Sequence, residues 1–241
     1  MSKKSSIINK LLEHSYEKGL SHIPSALSML TYIDVLFRYE FVKPYRDKIV
    51  LGKPFGAQTY YLLWKELGYL QLINNLSVGV KHDEIDFVDY GEETMGNALG
   101  VAAGIAMTTP QKVWVNLTDA TLQMGSTLEA IQFIGHRRLN NIVVTVDYND
   151  MQVCGKTSDI VPVAPVIRFL NDNGWKVEII DGHNTKQLRE DFKSMDTKWV
   201  NECDHRPIVY ICKTIKGYGV SYMEQDPVNW HYKKLDESHT R

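Results

Sequence analysis

Short runs of β-branched and aliphatic residues alternate with helical stretches, and this alternation constrains the fold more than any other feature of the chain. The predicted strands are "KIVLG" (48–52), "KVWVNL" (112–117), "NIVVTVD" (141–147), "KVEIID" (176–181) and "PIVYICKT" (207–214). The predicted helices cover residues 57–70, 96–108, 125–139 and 185–201. Strands that alternate with helices in this way predict an α/β protein with a doubly wound parallel sheet flanked by helices.

The N-terminal segment has a different pattern. Ile7, Ile8, Leu11 and Leu12 recur at helical spacing, and the later stretch "SALSMLTYIDVLFRYEF" does the same. We expect residues 1–45 to form a helical, lid-like prelude to an α/β core and C-terminal extension over 46–241. Because no Pro/Gly-rich linker or repeat interrupts the chain, the sequence predicts a single domain over 1–241.

One helix start carries a local signal. Ser126 followed by Glu129 fits a capping box, in which the two side chains satisfy free backbone amides of the first turn. This pattern predicts a helix that begins right after Gly125. The earlier stretch "MGNALGVAAGIAM" is crowded with Gly and Ala, which favours close packing of a helix against its neighbours.

Composition excludes several classes of partner. The chain has 241 residues, 44% of them hydrophobic, and a net charge of −2, so it lacks the basic excess that attracts nucleic acid or an anionic membrane. Cys154, Cys203 and Cys212 are widely spaced, which favours reduced thiols and a cytoplasmic location over a disulfide framework. The N-terminus has no apolar signal-peptide core, and no run approaches the ~20 apolar residues of a membrane span.

Two polar residues follow neighbouring predicted strands. Asp119 comes after the strand 112–117 and Asn149 after the strand 141–147, thirty positions further on (149 − 119). If these strands are neighbours, both side chains emerge at one edge of the sheet, where their oxygens would suit Mg²⁺ or Ca²⁺. Asp and Asn also cap turns, and spacing alone favours that simpler interpretation.

The segment that contains both residues resembles a known family. "TDATLQMGSTLEAIQFIGHRRLNNIVVTVDYNDMQVCG" is similar to the thiamine diphosphate signature of transketolases, Gly-Asp-Gly followed after roughly thirty residues by Asp-Tyr-Asn. The resemblance extends along the chain through "GLSHIPSALSML", "ETMGNALGVAAGIAM", "NDNGWKVEIIDGHN" and "TIKGYGVSYMEQDPVNWH". A full-length transketolase is far longer, so the chain resembles only its first, diphosphate-binding domain, as one half of a split enzyme.

The resemblance implies a cofactor site. Asp119, Asn149 and the backbone carbonyl of Met151 would coordinate Mg²⁺ (or Ca²⁺), which holds the diphosphate of thiamine diphosphate. The positive end of the helix that begins near Met95 and Gly96 would face the phosphates.

Further residues follow from the same resemblance. Asp147, Ala120 and Val153 would lie near the cofactor. His22 and His231 match family histidines at the reacting centre, which bind substrate hydroxyls and help to move protons.

The resemblance also implies a reaction and a partner. The family transfers a two-carbon ketol, or a related acyl unit, from a ketose-type donor to an aldehyde. The catalytic glutamate belongs to a second, pyrimidine-binding domain that nothing in this chain resembles. We therefore expect a partner subunit with a C-terminal transketolase-like domain, in an α2β2 heterotetramer with sites at its interfaces.

Several positions depart from the family pattern. Ala120 replaces a Gly, Thr121 an acid, and Met124 a second Glu that communicates with the catalytic glutamate of the partner. Phe55 replaces a histidine and Glu93 a glycine whose backbone touches the cofactor, whereas the match of His82 to another family histidine is poor.

These departures leave alternatives open. The chain could be a catalytically degenerate regulatory or interaction subunit, which Met124 and Phe55 favour. A nicotinamide-dependent oxidoreductase would also be doubly wound, but "MGNALGVAAG" lacks the G-x-G-x-x-G arrangement that such enzymes show after their first strand.

Overall fold

A parallel sheet forms the centre of the molecule. The computed structural model describes residues 3–71, 78–80, 84–200 and 205–239, and within them six strands pair in the order β2-β1-β3-β4-β6-β5, every pair parallel. The strands are β1 (Lys48–Leu51), β2 (Tyr90–Gly91), β3 (Val113–Thr118), β4 (Ile142–Tyr148), β5 (Lys176–Asp181) and β6 (Ile208–Lys213). All five predicted strands are present; β2, with two residues, is too short to give a sequence pattern.

Helices cover both faces of this sheet. They are α1 (Lys3–Glu17), α2 (Ile23–Arg38), α3 (Gln58–Glu66), α4 (Ala98–Thr108), α5 (Gly125–Arg137), α6 (Thr157–Ile160), α7 (Ala164–Asp172), α8 (Thr185–Val200) and α9 (Ser221–Gln225). One apolar cluster joins α1, α2, α3 and α8 to one face of the sheet, and another joins α4, α5 and α7 to the opposite face. The predicted doubly wound α/β fold is therefore confirmed.

The central strand β3 illustrates how the sequence produces two buried faces. Val113, Val115 and Leu117 point into the cluster with α4 and α5, whereas Trp114 points into the cluster with α2 and α3. Because side chains alternate along a strand, a continuously apolar run fills both layers at once.

The helix α2 is a core element, so the expectation that the N-terminal segment acts as a lid is wrong. Fourteen of its sixteen residues are buried, and it packs between α3, α8 and the sheet. An apolar surface on nearly all sides of a helix is characteristic of burial inside a protein. No helix among the described residues combines the length and the apolar character that crossing a bilayer would require.

The predicted capping box is not formed. The helix α5 starts at Gly125, as expected, but its N-cap position is Met124, and no side chain caps it. Ser126 lies inside the first turn, and its hydroxyl instead donates to the Gly96 carbonyl oxygen at 2.7 Å. Glu129 is exposed. The serine therefore ties α5 to the loop before α4.

The strand order creates a crevice at the carboxyl edge of the sheet. The connection from β1 leads to β2 on one side, whereas the connection from the neighbouring strand β3 leads to β4 on the other side. Connections that leave neighbouring strands in opposite directions open a gap outside their carboxyl ends, where α/β proteins bind ligands. Polar residues that follow β1, β3, β4 and β6 lie at this edge, namely Lys53, Asp119, Asn149 and Lys216.

Candidate functional site

Asp119 lies directly after β3 and is completely buried. Its carboxylate accepts hydrogen bonds from the Ala120 amide at 2.8 Å and from the hydroxyls of Thr157 at 3.0 Å and Thr118 at 3.1 Å. Burial, together with the charge of Asp147, raises the pKa of Asp119 to about 6. A carboxylate in this environment is stabilised by any cation that binds beside it.

Asp147 lies in β4 and forms the centre of a buried polar network. Its carboxylate accepts hydrogen bonds from the hydroxyls of Ser28 at 2.7 Å and Thr214 at 2.5 Å, and it forms an ion pair with Lys53. The Asn149 amide donates to it at 3.0 Å. This network joins α2 to the ends of β1, β4 and β6, so it fixes the floor of the crevice.

Asn149 follows β4 and is held in one orientation. Its amide nitrogen donates to Ser28 and Asp147, which turns its Oδ1 towards the Met151 amide, from which it accepts a hydrogen bond at 2.9 Å. Between them Asp150 adopts a left-handed conformation with φ 55°. The turn brings the Met151 carbonyl to the lysine Lys216, whose Nζ donates to it at 3.2 Å.

The three predicted metal ligands line one cavity. Asp119, Asn149 and Met151 supply a carboxylate, an amide oxygen and a backbone carbonyl oxygen, the hard donors that Mg²⁺ and Ca²⁺ prefer. Among the described residues there is no group of three or more His, Cys, Asp or Glu side chains that could hold a metal. The donor set and the buried carboxylate of Asp119 fit a hard divalent cation with additional oxygens from a ligand or water.

Two lysines that the sequence reasoning overlooked also line this cavity. Lys53 follows β1, is only 5% exposed, and binds the Ser25 carbonyl oxygen at 2.7 Å in addition to Asp147. Lys216 follows β6, is 3% exposed, and has a pKa lowered to about 8 by burial and by Lys53. Lys216 therefore remains mostly positively charged at neutral pH, and together with Lys53, which is ion-paired with Asp147, it makes this part of the cavity suit an anion.

Both predicted catalytic histidines lie at the outer end of the same cavity, with their ring centroids 4.8 Å apart. Burial and nearby lysines lower the pKa of His22 to about 4 and that of His231 to about 3, so both rings are neutral. Lys216 Nζ lies 2.8 Å from His231 Nδ1. Because an ammonium can only donate, neutral His231 carries its proton on Nε2.

The remaining predicted site residues divide into two groups. Met95, Ala120 and Val153 line the cavity, and Asp147 lies behind it in the network with Lys53. Gly96 is not part of the lining; it borders a separate groove between α4 and α5 with Ser126.

The N-terminus of α4 is already occupied by an internal carboxylate. Glu92, which is 3% exposed, accepts hydrogen bonds from the amides of Gly96 at 3.1 Å, Asn97 at 2.9 Å and Ala98 at 2.7 Å. These amides are the groups that would bind a phosphate at a helix start. The expectation that this helix end faces the phosphates is therefore wrong for this structure.

The positions that depart from the family pattern have distinct surroundings. Phe55 stacks on His22, Thr121 is buried with its hydroxyl 3.5 Å from the Gly52 carbonyl oxygen, and Met124 is half-buried beside Gly96. Glu93 is exposed. His82 lies outside the described residues.

Comparison with known proteins identifies the family of this chain. Residues 102–240 match the model of the transketolase, thiamine diphosphate binding domain. The chain is 27% identical to the 6-deoxy-6-sulfo-D-fructose transketolase subunit SqwG of Clostridium sp. (strain MSTE9), over 96% of this chain and 90% of that protein. It is 29% identical to the transketolase of Homo sapiens, over 91% of this chain but 37% of that protein.

Solved structures of transketolases have the same fold. The transketolase of Campylobacter jejuni superposes with a TM-score of 0.79 over 98% of this chain and 40% of that one, at 18% identity. For the transketolase of Leishmania mexicana the TM-score is 0.72 over 91% of this chain and 38% of that one. The chain thus spans about two fifths of the full-length transketolases that it matches, and it belongs to the transketolase family through its thiamine diphosphate binding domain.

Proposed function

We propose that this chain is the diphosphate- and Mg²⁺-binding subunit of a two-component transketolase-like enzyme. The enzyme would transfer a two-carbon ketol, or a related acyl unit, from a ketose-type donor to an aldehyde. The observation that carries this proposal is the convergence of Asp119, Asn149 and Met151 oxygens with two buried lysines in one cavity. A cytoplasmic location stays a prediction.

The residues at the inner end of the cavity would hold the cofactor. Oxygens of Asp119, Asn149 and Met151 would coordinate Mg²⁺ (or Ca²⁺), and Lys53 and Lys216 would offset the negative charge of the diphosphate. When bound, thiamine diphosphate supplies the carbanion stabilisation that two-carbon transfer requires.

Other residues would bound the remainder of the cofactor. Met95, Ala120 and Val153 line the cavity beside the metal donors. Asp147 would act from behind, because it holds Lys53 and Asn149 in position. Gly96 is not included in this proposal.

The two histidines would act on the substrate. Neutral His231 presents the N–H of Nε2 as a donor to a substrate oxygen, with Lys216 fixing the ring from the other side. His22 Nε2 has no hydrogen-bond partner within the described part of the chain, so it is available to exchange a proton or a hydrogen bond with a ligand.

A partner subunit would complete the site. The cavity encloses about 150 Å³, less than the roughly 300–1,000 Å³ of ordinary small-molecule sites. The match to SqwG, a protein described as a subunit, over 90% of its length supports a split arrangement. We propose that a C-terminal transketolase-like chain supplies the pyrimidine-binding domain and the catalytic glutamate, in an α2β2 assembly.

The test is calorimetric titration of thiamine diphosphate, with and without Mg²⁺, into this chain co-purified with the protein encoded beside its gene. We expect saturable binding that requires Mg²⁺ and that Asp119→Ala abolishes. Asp159→Ala removes an exposed acid from the neighbouring helix α6 and serves as the matched control, with binding unchanged. A folded complex that binds no cofactor would rule out the proposed enzymatic function.

A second candidate function has one observation in its favour. Met124 cannot carry the charge or relay the proton of the acid that it replaces, as expected for a regulatory or interaction subunit. In that case Asp119→Ala would leave assembly with the partner unchanged, and the wild-type complex would show no Mg²⁺-dependent binding of the cofactor. Size-exclusion chromatography alongside the titration separates the two functions.

A further inference from the structure

His22 is enclosed by aromatic rings at the outer end of the cavity. The ring of Phe55 stacks on it with centroids 4.4 Å apart and an interplanar angle of 18°. Tyr232 contacts both His22 and His231 edge-on, at 5.1 and 4.8 Å. We call Phe55 and Tyr232 the aromatic wall; their exposed fractions are 37% and 63%, so this wall faces the entrance.

The wall lies beside a buried polar atom of His22 that has no partner among the described residues. His22 is 5% exposed, its Nδ1 lies 2.9 Å from the Ser21 hydroxyl, and its Nε2 is buried with no partner among the described residues. Because buried polar groups are normally hydrogen-bonded, this unpaired nitrogen inside the cavity is available to an oxygen of a ligand. Phe55 next to this histidine offers a substrate only the face of an aromatic ring.

The charged groups of the cavity are not placed to bind a polar tail at this end. Lys53 is engaged with Asp147 and Ser25, and Lys216 is engaged with Met151 and His231, and both side chains are buried. A substrate chain beside His22 therefore meets the rings of Phe55 and Tyr232, whereas the ammonium groups of both lysines are already engaged by protein groups.

We propose that the aromatic wall makes this site select an aldehyde acceptor whose hydrogen-bonding oxygen lies at the histidines and whose remaining carbon chain is apolar, aliphatic or aromatic, over an acceptor with a polyhydroxylated chain. The oxygen would pair with His22 Nε2, and the chain would lie against Phe55. Hydroxyl groups held against a phenyl face lose hydrogen bonds to water without replacement, so a polyol chain is disfavoured. This inference rests on the proposed function and names the substrate class for the same site.

The reaction used as a test must balance for either kind of acceptor. With hydroxypyruvate as donor, the bond from its carbonyl carbon to the carboxylate breaks and releases CO₂. A new carbon–carbon bond forms to the aldehyde carbon of the acceptor, whose oxygen takes up a proton. Propanal and D-glyceraldehyde make a matched pair of three-carbon acceptors that differ in two hydroxyl groups.

The experiment uses the complex with its partner subunit, thiamine diphosphate and Mg²⁺. We expect a kcat/KM for propanal at least about tenfold above that for D-glyceraldehyde, because the face of Phe55 offers no hydrogen-bond partner to the hydroxyls of an acceptor chain that lies against it. Phe55→His introduces a polar ring of similar size and should lower this ratio by about tenfold or more. Phe133→His, which changes an exposed aromatic residue on α5, should leave the ratio unchanged.

A second measurement does not depend on turnover. Saturation-transfer NMR compares 1-propanol with glycerol on the same complexes. We expect contacts from 1-propanol to the wild-type protein that Phe55→His weakens and Phe133→His does not, and a weaker signal from glycerol.

The outcomes separate the inference from the function on which it rests. Transfer that favours D-glyceraldehyde in both wild type and Phe55→His would overturn the inference that the aromatic wall selects the acceptor, and it would leave the proposed function intact. A complex that transfers to neither acceptor would overturn the proposed function. The NMR comparison then still decides the inference, since equal binding of both alcohols overturns it and Phe55-dependent binding of 1-propanol supports it.

Discussion

Lys53 and Asp147 form an ion pair in the interior of the protein, with side chains that are 5% and 0% exposed. The lysine follows β1 and the aspartate lies in β4, two strands away across the sheet. Removal of one partner from a buried pair leaves a charge without compensation, whereas an exposed pair contributes little. For comparison, the structure also contains a more exposed pair, Lys48 with Asp89, whose side chains are 35% and 24% exposed.

We predict that Lys53→Met lowers the free energy of unfolding by about 3 kcal/mol, because Asp147 would remain buried with hydrogen-bond donors but no cation. Lys48→Met should change it by less than about 1 kcal/mol. Urea denaturation of both variants at neutral pH measures the difference. Equal effects of the two substitutions would mean that the interior pair contributes no more than the surface pair.

A second prediction concerns Glu92, which caps α4. We expect Glu92→Ala to lower the free energy of unfolding by about 1–2 kcal/mol, because three backbone amides lose a charged acceptor. Glu129→Ala tests the capping box that the structure does not form and should change stability by less than about 0.5 kcal/mol. If thermal or urea unfolding ranked Glu129→Ala as the more harmful variant, the assignment of the cap would be incorrect.

A third prediction uses two helical glycines with opposite surroundings. A Cβ added to Gly135 in α5 would lie 1.8 Å from the Asn173 carbonyl oxygen, whereas one added to Gly100 in α4 meets nothing within 4 Å. Gly135→Ala should therefore destabilise the fold by about 3 kcal/mol or more, since backbone must move. Gly100→Ala should raise stability by roughly 0.5–1 kcal/mol through helix propensity. Comparable midpoints in circular dichroism melts would contradict the close packing of α5 against the turn before β5.

A fourth prediction concerns pH. Burial and the charges of Lys216 and Lys53 lower the pKa of His22 from 6.5 to about 4. Between these values the unfolded chain binds more protons than the folded protein, so this histidine reduces stability as the pH falls below about 6.5. Discounted for solvent screening, the loss from about pH 7 to pH 5 should be roughly 1 kcal/mol larger for wild type than for His22→Asn.

Asp119 has the opposite effect on the pH dependence of stability, and the comparison of wild type with His22→Asn removes this effect. Its raised pKa, about 6, means that the folded protein binds more protons than the unfolded chain at mildly acidic pH, which adds stability as the pH falls. The contribution is present in both proteins and cancels in the difference. Identical pH dependence of urea midpoints for wild type and His22→Asn would show that His22 is not desolvated.

Much of the fold could be predicted from the sequence because its strands are buried on both faces and therefore read as uninterrupted apolar runs. The five strands of four or more residues are all identified by the sequence pattern, and within the described part of the chain only the two-residue β2 is missed. The lid-like role of the N-terminal segment was wrong because periodicity identifies a helix but not how many of its faces are buried. The face of α2 that meets α8 depends on a helix more than a hundred residues away.

The candidate site was predicted in part. Eight of the ten proposed residues line one cavity, with Asp147 behind it and Gly96 outside it. Lys53 and Lys216 were missed, although each follows a strand end as Asp119 does, and the same rule would have found them. Glu92 gave no signal of this kind, because its role depends on a loop that bends back over three amides.

The burial of α2 also has a consequence for folding while the chain is being synthesised. Ser28 bonds to Asp147 and Thr214, which follow it by 119 and 186 residues. At about 5–20 residues per second, this apolar helix emerges from the ribosome on the order of 10 s or more before its last partners exist. Until β6 is made, α2 is a natural target for chaperones, and the sheet cannot be completed before β6 has been synthesised.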